Sequence, residues 1–314
     1  MRKSNREAGS FGPERSNTIR NREEPAMEYD FTFADIHTIG VVGLGLIGGS
    51  YAKAYRENTE CRILGKDTNP DAVRTAIEDG TLDGELTEDM IPECDLLLVA
   101  LYPEAIIEYV TSVADRIRPE AFVIDTGGLK RNVCRALFPL AAEKGFTFIG
   151  GHPMAGKKTS GYHHSSGTLF KGASMILVPD DVTDFDTLAT AKAIFAPCGF
   201  GRITICSAEK HDEMIAFTSE LAHIVSNAYM KSPTALHHKG FSAGSYKDLT
   251  RVAWLNETMW TEIFMDNRDN LIREIDSIIH SLAEYKEAME KEDRQQLWKL
   301  LHEGKMAKEA VDGK

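Results

Sequence analysis

From Ile36 onward the chain alternates short apolar runs with longer amphipathic stretches. The runs IHTIGVVG, CRILGKD, DLLLVAL, AFVIDT and FTFIGG are rich in Val, Ile, Leu and Phe, and they read as strands. Between them, segments such as DAVRTAIEDG and PEAIIEYVTSVADRI carry apolar residues at helical spacing. This alternation predicts an α/β fold, a doubly wound parallel sheet with helices on both faces. ASMILVP and GRITIC, separated by a helical stretch, predict outer strands. After about Ser207 strand signals fade and helices dominate. In NLIREIDSIIHSLAEYKEAM, Ile272, Ile275, Ile279, Leu282 and Met289 recur at helical spacing. A helical domain this small is expected to complete its core across a homodimer. The resulting organisation is a loosely ordered tail over residues 1–34, a Rossmann domain over 35–206 and an all-helical domain over 207–314. The tail lacks apolar periodicity. Met27 directly precedes the first patterned segment, so the first 26 residues are expected to be dispensable.

One turn in this pattern carries chemistry. IGVVGLGLIGGS places Gly43, Gly45 and Gly48 as G-x-G-x-x-G between a strand and the helix LIGGSYAKAYREN. The first glycine permits a tight turn, the second admits a pyrophosphate against the backbone, and the third lets helix and strand pack closely. The candidate cofactor residues are Gly43, Gly45, Leu46, Ile47 and Gly48 at the helix start, where unpaired N–H groups meet phosphate. Asp67 ends the next strand. A carboxylate there accepts from ribose hydroxyls and repels a 2′-phosphate, so NAD is favoured over NADP. Lys66 beside it weakens that preference.

Composition narrows the rest. Lys and Arg number 36 against 48 Asp and Glu, a net charge of −12. That opposes a nucleic-acid partner but not a small anionic substrate in a local basic pocket. The five cysteines are scattered without metal-ligand spacing, which predicts reduced thiols in the cytoplasm and no metal. No apolar run approaches a membrane span, and the N-terminus does not read as a signal peptide.

Several side chains are candidates for a reaction. His152 lies in FIGGHPMAGKKTSG, after a strand and between a glycine pair and Pro153, where it could take a proton from a hydroxyl. His211 and His223 share a predicted helix twelve positions apart, too far for a chelating pair, and His223 could face the cleft. Arg251, before an apolar helical run, is a candidate carboxylate clamp, and Lys130 is a second cation near the carboxyl edge of the sheet. The pairs His163–His164 and His237–His238 are expected to be exposed.

These blocks resemble a known family. GLGLIGGS, GGHPMAG, the HD of KHDEMIAF, SELAH and DLTRVA followed by Trp are similar in content and order to prephenate dehydrogenases, from Ile36 to about Glu290. The resemblance implies an NAD-binding Rossmann domain, a helical dimerisation domain, and oxidative decarboxylation of prephenate to 4-hydroxyphenylpyruvate in tyrosine biosynthesis. It implies His152 as the catalytic residue and Arg251, Lys130 and His223 as substrate-binding residues. The chain departs from the family at two points. Many members carry SVK where this chain has GLK, so Gly128 lacks a hydroxyl. Many read SHLPH where it has SELAH, so Glu220 and Ala222 replace His and Pro. Glu220 would add negative charge near the substrate, and the alternatives are therefore arogenate dehydrogenase or an enzyme accepting both substrates. A hydroxyacid dehydrogenase of the same plan is disfavoured by GGHPMAG and TRVA. A NAD-binding regulator without turnover is the alternative from another class. No separate regulatory module is expected after the helices.

Overall fold

The computed structural model describes residues 35–313. The expectations for the 1–34 tail and for Met27 lie outside the described residues. The sheet has eight strands: β1 (Thr38–Val42), β2 (Arg62–Lys66), β3 (Gly84–Glu85), β4 (Leu96–Val99), β5 (Phe122–Asp125), β6 (Thr147–Pro153), β7 (Ser174–Val178) and β8 (Arg202–Ile205). Their spatial order is β3-β2-β1-β4-β5-β6-β7-β8. Strand order reverses between β1 and β4, and in such sheets the crevice over the carboxyl ends at that point receives ligands.

Four crossover helices are α1 (Leu46–Asn58), α2 (Pro70–Glu78), α3 (Pro103–Val113) and α4 (Arg131–Lys144). Local chemistry starts and stops them. Asn69 caps α2, accepting from Asp71 N–H, and Pro70 sits at its first position. Gly145, at φ 85°, ends α4. Two apolar layers form on opposite faces of the sheet. One joins Ile39, Val41, Ile124 and Ile149 to Tyr51, Tyr55, Phe170 and Phe195. The other joins Val99 and Val123 to Val110 of α3, Leu137 of α4 and Phe148.

Two details depart from the sequence pattern. β3 is a two-residue edge strand with no run of its own, paired to β2. β7 runs antiparallel to β6, and β8 is parallel to β7. The physical reason is the connection. Residues 154–173 return from β6 without a crossover helix, whereas α5 (Phe185–Ile194) links β7 to β8 and restores the parallel sense.

The helical part comprises α6 (Ala208–Ile215), α7 (Leu221–Met230), α8 (Gly244–Thr250), α9 (Glu257–Asp266), α10 (Arg268–Glu290) and α11 (Arg294–Asp312). Between α6 and α7 the chain makes a π-helical turn over Ala216–Glu220. Among the described residues no helix is long and apolar enough to cross a membrane. All five cysteines are free, four of them buried.

Candidate active site

The glycine turn has the geometry its spacing predicts. Gly43 adopts φ 88°, a left-handed conformation that favours glycine. A Cβ on Gly48 would lie 1.8 Å from the Gly43 carbonyl oxygen, so helix and strand touch there. Gly45 has nothing within 4 Å of an added Cβ, which leaves the backbone open to a phosphate. It precedes α1, which has no side-chain cap and no acid in its first turn. Leu46 and Ile47 form the first positions of α1. Asp67, one residue past β2, accepts the Leu44 N–H at 2.6 Å and the Asn69 N–H at 2.8 Å. These residues fit a dinucleotide, with the carboxylate braced against the turn and spare lone pairs for a ribose.

His152 stands on β6, half-buried, at the carboxyl edge of the sheet. Its Nδ1 lies 2.9 Å from His211 Nε2, and His211 Nδ1 lies 2.7 Å from Asp212 Oδ1. Asp212 also accepts the backbone N–H of Lys130 at 2.8 Å and of Arg131 at 3.0 Å. Burial opposes its ionisation, but His211 and these N–H donors outweigh burial and hold the carboxyl below the usual range. An ionised Asp212 takes the Nδ1 proton side of His211. That leaves His211 Nε2 to accept from His152 Nδ1–H and His152 Nε2 as a free acceptor. Burial, reinforced by the neighbouring His211 and by Lys130, pushes the His152 pKa well below the ordinary imidazole value. The row is therefore a neutral base backed by a fixed anion.

Lys130 stands apart from its expected role. Its side chain is 0 % exposed and paired with Asp125 Oδ2. Asp125 also accepts the N–H of Gly127 at 2.8 Å and of Gly151 at 3.2 Å. Lys130 thus holds the ends of β5 and β6 together next to His152, and its ammonium is not presented to a ligand.

His223, on α7, binds the Ser219 carbonyl through Nδ1 at 2.8 Å and packs on Trp260 with ring centroids 4.0 Å apart. Trp260 lines a recess of about 260 Å³ with Ile224, Leu255 and Phe264, to which His152 does not contribute. Arg251 follows α8, is exposed, and makes no hydrogen bond or ion pair with the described residues. No contact joins His223 or Arg251 to His152. His163 and His164 are exposed; His238 instead stacks on Tyr246 at 4.4 Å.

Glu220, the last residue of the π-helical turn, is fully buried. Its Oε2 accepts from Asn267 Nδ2 at 3.0 Å, and Oε1 has no partner among the described residues. Burial pushes its pKa up to about 8. It therefore carries a proton at neutral pH and does not add the negative charge expected from the sequence. Sequence reasoning also gave no role to His211 and Asp212. The available signal was their place beside Ala208 and Ile215 on the buried face of α6.

Comparison with known proteins agrees with this arrangement. Residues 51–204 match the nucleotide-binding domain of prephenate dehydrogenase, and residues 207–303 match its dimerization domain. The chain is 29% identical to a prephenate dehydrogenase of Bacillus subtilis over 88% of its own length and 76% of that protein. It is 27% identical to a cyclohexadienyl dehydrogenase of Zymomonas mobilis over 87% and 95%. Among solved structures, the prephenate dehydrogenase of Aquifex aeolicus in complex with hydroxyphenyl propionate and NAD+ superposes with a TM-score of 0.77 at 28% identity, covering 88% of this chain and 98% of that one. On its glycine turn, its His–His–Asp row and these two matched domains, the chain belongs to the prephenate dehydrogenase family.

Proposed function

We propose that this protein is an NAD-dependent prephenate dehydrogenase that converts prephenate to 4-hydroxyphenylpyruvate and carbon dioxide in tyrosine biosynthesis. The observation that carries this reading is the neutral His152, backed by His211 and Asp212, at the carboxyl edge of a sheet with a dinucleotide cradle. Gly43, Gly45, Leu46, Ile47 and Gly48 would hold the pyrophosphate, and Asp67 the adenosine ribose. Bound NAD supplies the acceptor for the hydride that leaves the ring carbon. His152 Nε2 takes the proton of the ring hydroxyl, and the charge it acquires is stabilised through His211 by Asp212. Loss of the ring carboxylate then makes the product aromatic.

Arg251, a cation without a protein partner among the described residues, is assigned to the ring carboxylate. His223, oriented by Ser219 and Trp260, is assigned to the side-chain end of the substrate. Lys130 positions the strand ends around His152 rather than binding substrate. The protein acts as a homodimer in the cytoplasm. The apolar stripe of α10 supports the dimer, and the free thiols support the compartment. Its net charge supports a small-molecule partner over a nucleic acid.

The test is reduced-nicotinamide absorbance, with prephenate and arogenate each offered with NAD and NADP. Turnover of prephenate with NAD, lost in His152→Asn, is the expected result. Turnover of arogenate alone would move the substrate assignment. Binding of NAD without turnover of either substrate would overturn the enzymatic reading. Glu220 bears on arogenate, whose side chain carries an amine. A neutral Glu220 gives that amine little advantage, so Glu220→Gln is expected to leave the arogenate-to-prephenate ratio unchanged near pH 7.

A further inference from the structure

Asn267 is the single residue between α9 and α10, and it is fully buried. Its side-chain amide makes four hydrogen bonds. Nδ2 donates to the Asp212 carbonyl at 2.8 Å and to Glu220 Oε2 at 3.0 Å. Oδ1 accepts from Arg131 Nη2 at 3.0 Å and from Asn270 Nδ2 at 2.7 Å. Two donors and two lone pairs are the whole capacity of the group, and all are used.

The direction of the amide is fixed as well. Arginine can only donate, so Oδ1 must face Arg131. Asn270 is oriented in the same way, because its Oδ1 accepts from Arg273 of α10. Donation therefore runs one way, from Arg273 to Asn270 to Asn267 and on to the Asp212 carbonyl, and each bond polarises the next. The charged and titratable groups around the amide are Arg131 on α4, Asp212 on α6, Glu220 on the π-helical turn, and Asp269 and Arg273 on α10.

Asp212 is pinned at two ends by different elements. Its carboxylate is held by the N–H groups of Lys130 and Arg131, by the Arg131 side chain and by His211. Its carbonyl accepts from Ala216 N–H within its own helical segment and from Asn267, 55 residues away. The start of α4 thus sets the carboxylate against the sheet, and Asn267 sets the backbone of α6 against α10. Together the two pins fix the angle at which the carboxylate meets His211 Nδ1. The carboxylate pin alone leaves α6 free to rock about it. Asn267 has no hydrogen bond to His211 or His152.

We propose that Asn267 is a positioning residue for the reaction, acting through the Asp212 carbonyl to keep the Asp212 carboxylate in line with His211 and, through it, with His152. This rests on the dehydrogenase reading above and extends it to a residue that touches neither substrate nor cofactor in that reading.

The experiment uses Asn267→Ser and Asn267→Asp, each alone and combined with Asp212→Asn, with melting of every variant. Asn267→Ser removes the tether without adding charge. Asn267→Asp keeps an acceptor for Arg131 and Asn270 but loses the donor towards Asp212, and it carries the same comparison if Asn267→Ser does not fold. Each is expected to lower kcat about 10-fold while KM for prephenate and NAD affinity stay within about twofold. In the Asp212→Asn background the further loss is expected to be under about twofold, because both changes act through one carboxylate. A spectroscopic readout needs no turnover. The proton resonance of the His211 Nδ1–H to Asp212 bond, identified by its loss in Asp212→Asn, is expected to move upfield in Asn267→Ser as that bond slackens. Wild-type kcat in the folded variants would overturn the proposal. So would losses that multiply in full in the double variants, or NAD affinity and kcat falling in step, the marks of a purely structural amide. Wild type that binds NAD but does not oxidise prephenate would overturn the dehydrogenase reading. An unmoved His211 resonance would overturn the Asn267 tether whatever the substrate.

Discussion

In the proposed reaction His152 works as a neutral imidazole. Burial, with His211 and Lys130 beside it, disfavours its protonated form, so the base is ready well into acid. The acid limb of kcat/KM is expected below the ordinary histidine value of ~6.5, as a pH–rate profile would show. Replacing His152 by Asn should cost about 10²- to 10⁴-fold in kcat. Asp212→Asn removes the fixed anion behind the row and should cost about 10- to 100-fold in kcat while NAD affinity is retained, separable by titration. Gly128 is a residue-scale test of a different kind. A Cβ there meets nothing within 4 Å and its φ lies outside the left-handed region, so Gly128→Ser should fold with an unchanged melting temperature. If a hydroxyl at this place serves the substrate, as the family resemblance implies, the variant should raise kcat/KM for prephenate.

At the scale of elements, the π-helical turn Ala216–Glu220 decides where α7 points its side chains. On a regular helix His223 would sit about 120° around from His211. The wide turn changes that offset, turns Glu220 inward to full burial and leaves Phe217 58% exposed. The inward Glu220 makes folding depend on pH. Its folded pKa, about 8, lies above the unfolded value of ~4.3. Below the unfolded value the acid is protonated in both states and stability is unpenalised. Between the two values the unfolded chain ionises while the folded one holds its proton, so stability falls as pH rises towards 8. Thermal melts from pH 5 to 8 should show this decline in wild type and a shallower one in Glu220→Gln. On the other face of the fold, Tyr51 of α1 stacks on Phe170 with centroids 4.2 Å apart in the layer under the sheet. Phe170→Ala should destabilise by about 3–5 kcal/mol in denaturant unfolding.

At the scale of the molecule, Arg131 joins the two halves of the chain. From the start of α4 it donates to Asp212 of α6 at 3.3 Å, to Asn267 at 3.0 Å and to Asp269 of α10 at 2.8 Å. Asn267 in turn donates to Glu220 and to the Asp212 carbonyl. One guanidinium therefore aligns the sheet bearing His152 with the helices bearing its partners. Arg131→Ala, which leaves Asp212 and Asn267 short of donors, should cost about 1–3 kcal/mol in stability and lower kcat with it. Away from this joint, Ile272, Ile279, Leu282 and Met289 of α10 are each more than half exposed in the single chain. A stripe of that extent asks for cover. Ile279→Asp should shift the protein from dimer to monomer mass in light scattering.

The linear chain by itself determined the features that depend on near neighbours. Strand runs, helix periodicity and the glycine turn are local, and they lead directly to the Rossmann plan, the switch to helices after Ser207 and the NAD cradle. Gly43 needs a left-handed φ and Gly48 a bare surface wherever the rest of the chain goes. His152 was legible as a candidate because a histidine between glycines and proline suits a loop or strand end better than a core. Only the tertiary structure decided who faces it. His211 is 59 residues away, and Lys130 is claimed by Asp125 rather than left free for a ligand. β7 runs antiparallel because its connection lacks a crossover helix, which the apolar pattern of the strand itself does not encode. Glu220 reads as a negative charge in sequence and becomes a neutral acid on folding, because the loss of solvent is a property of its surroundings and not of the residue.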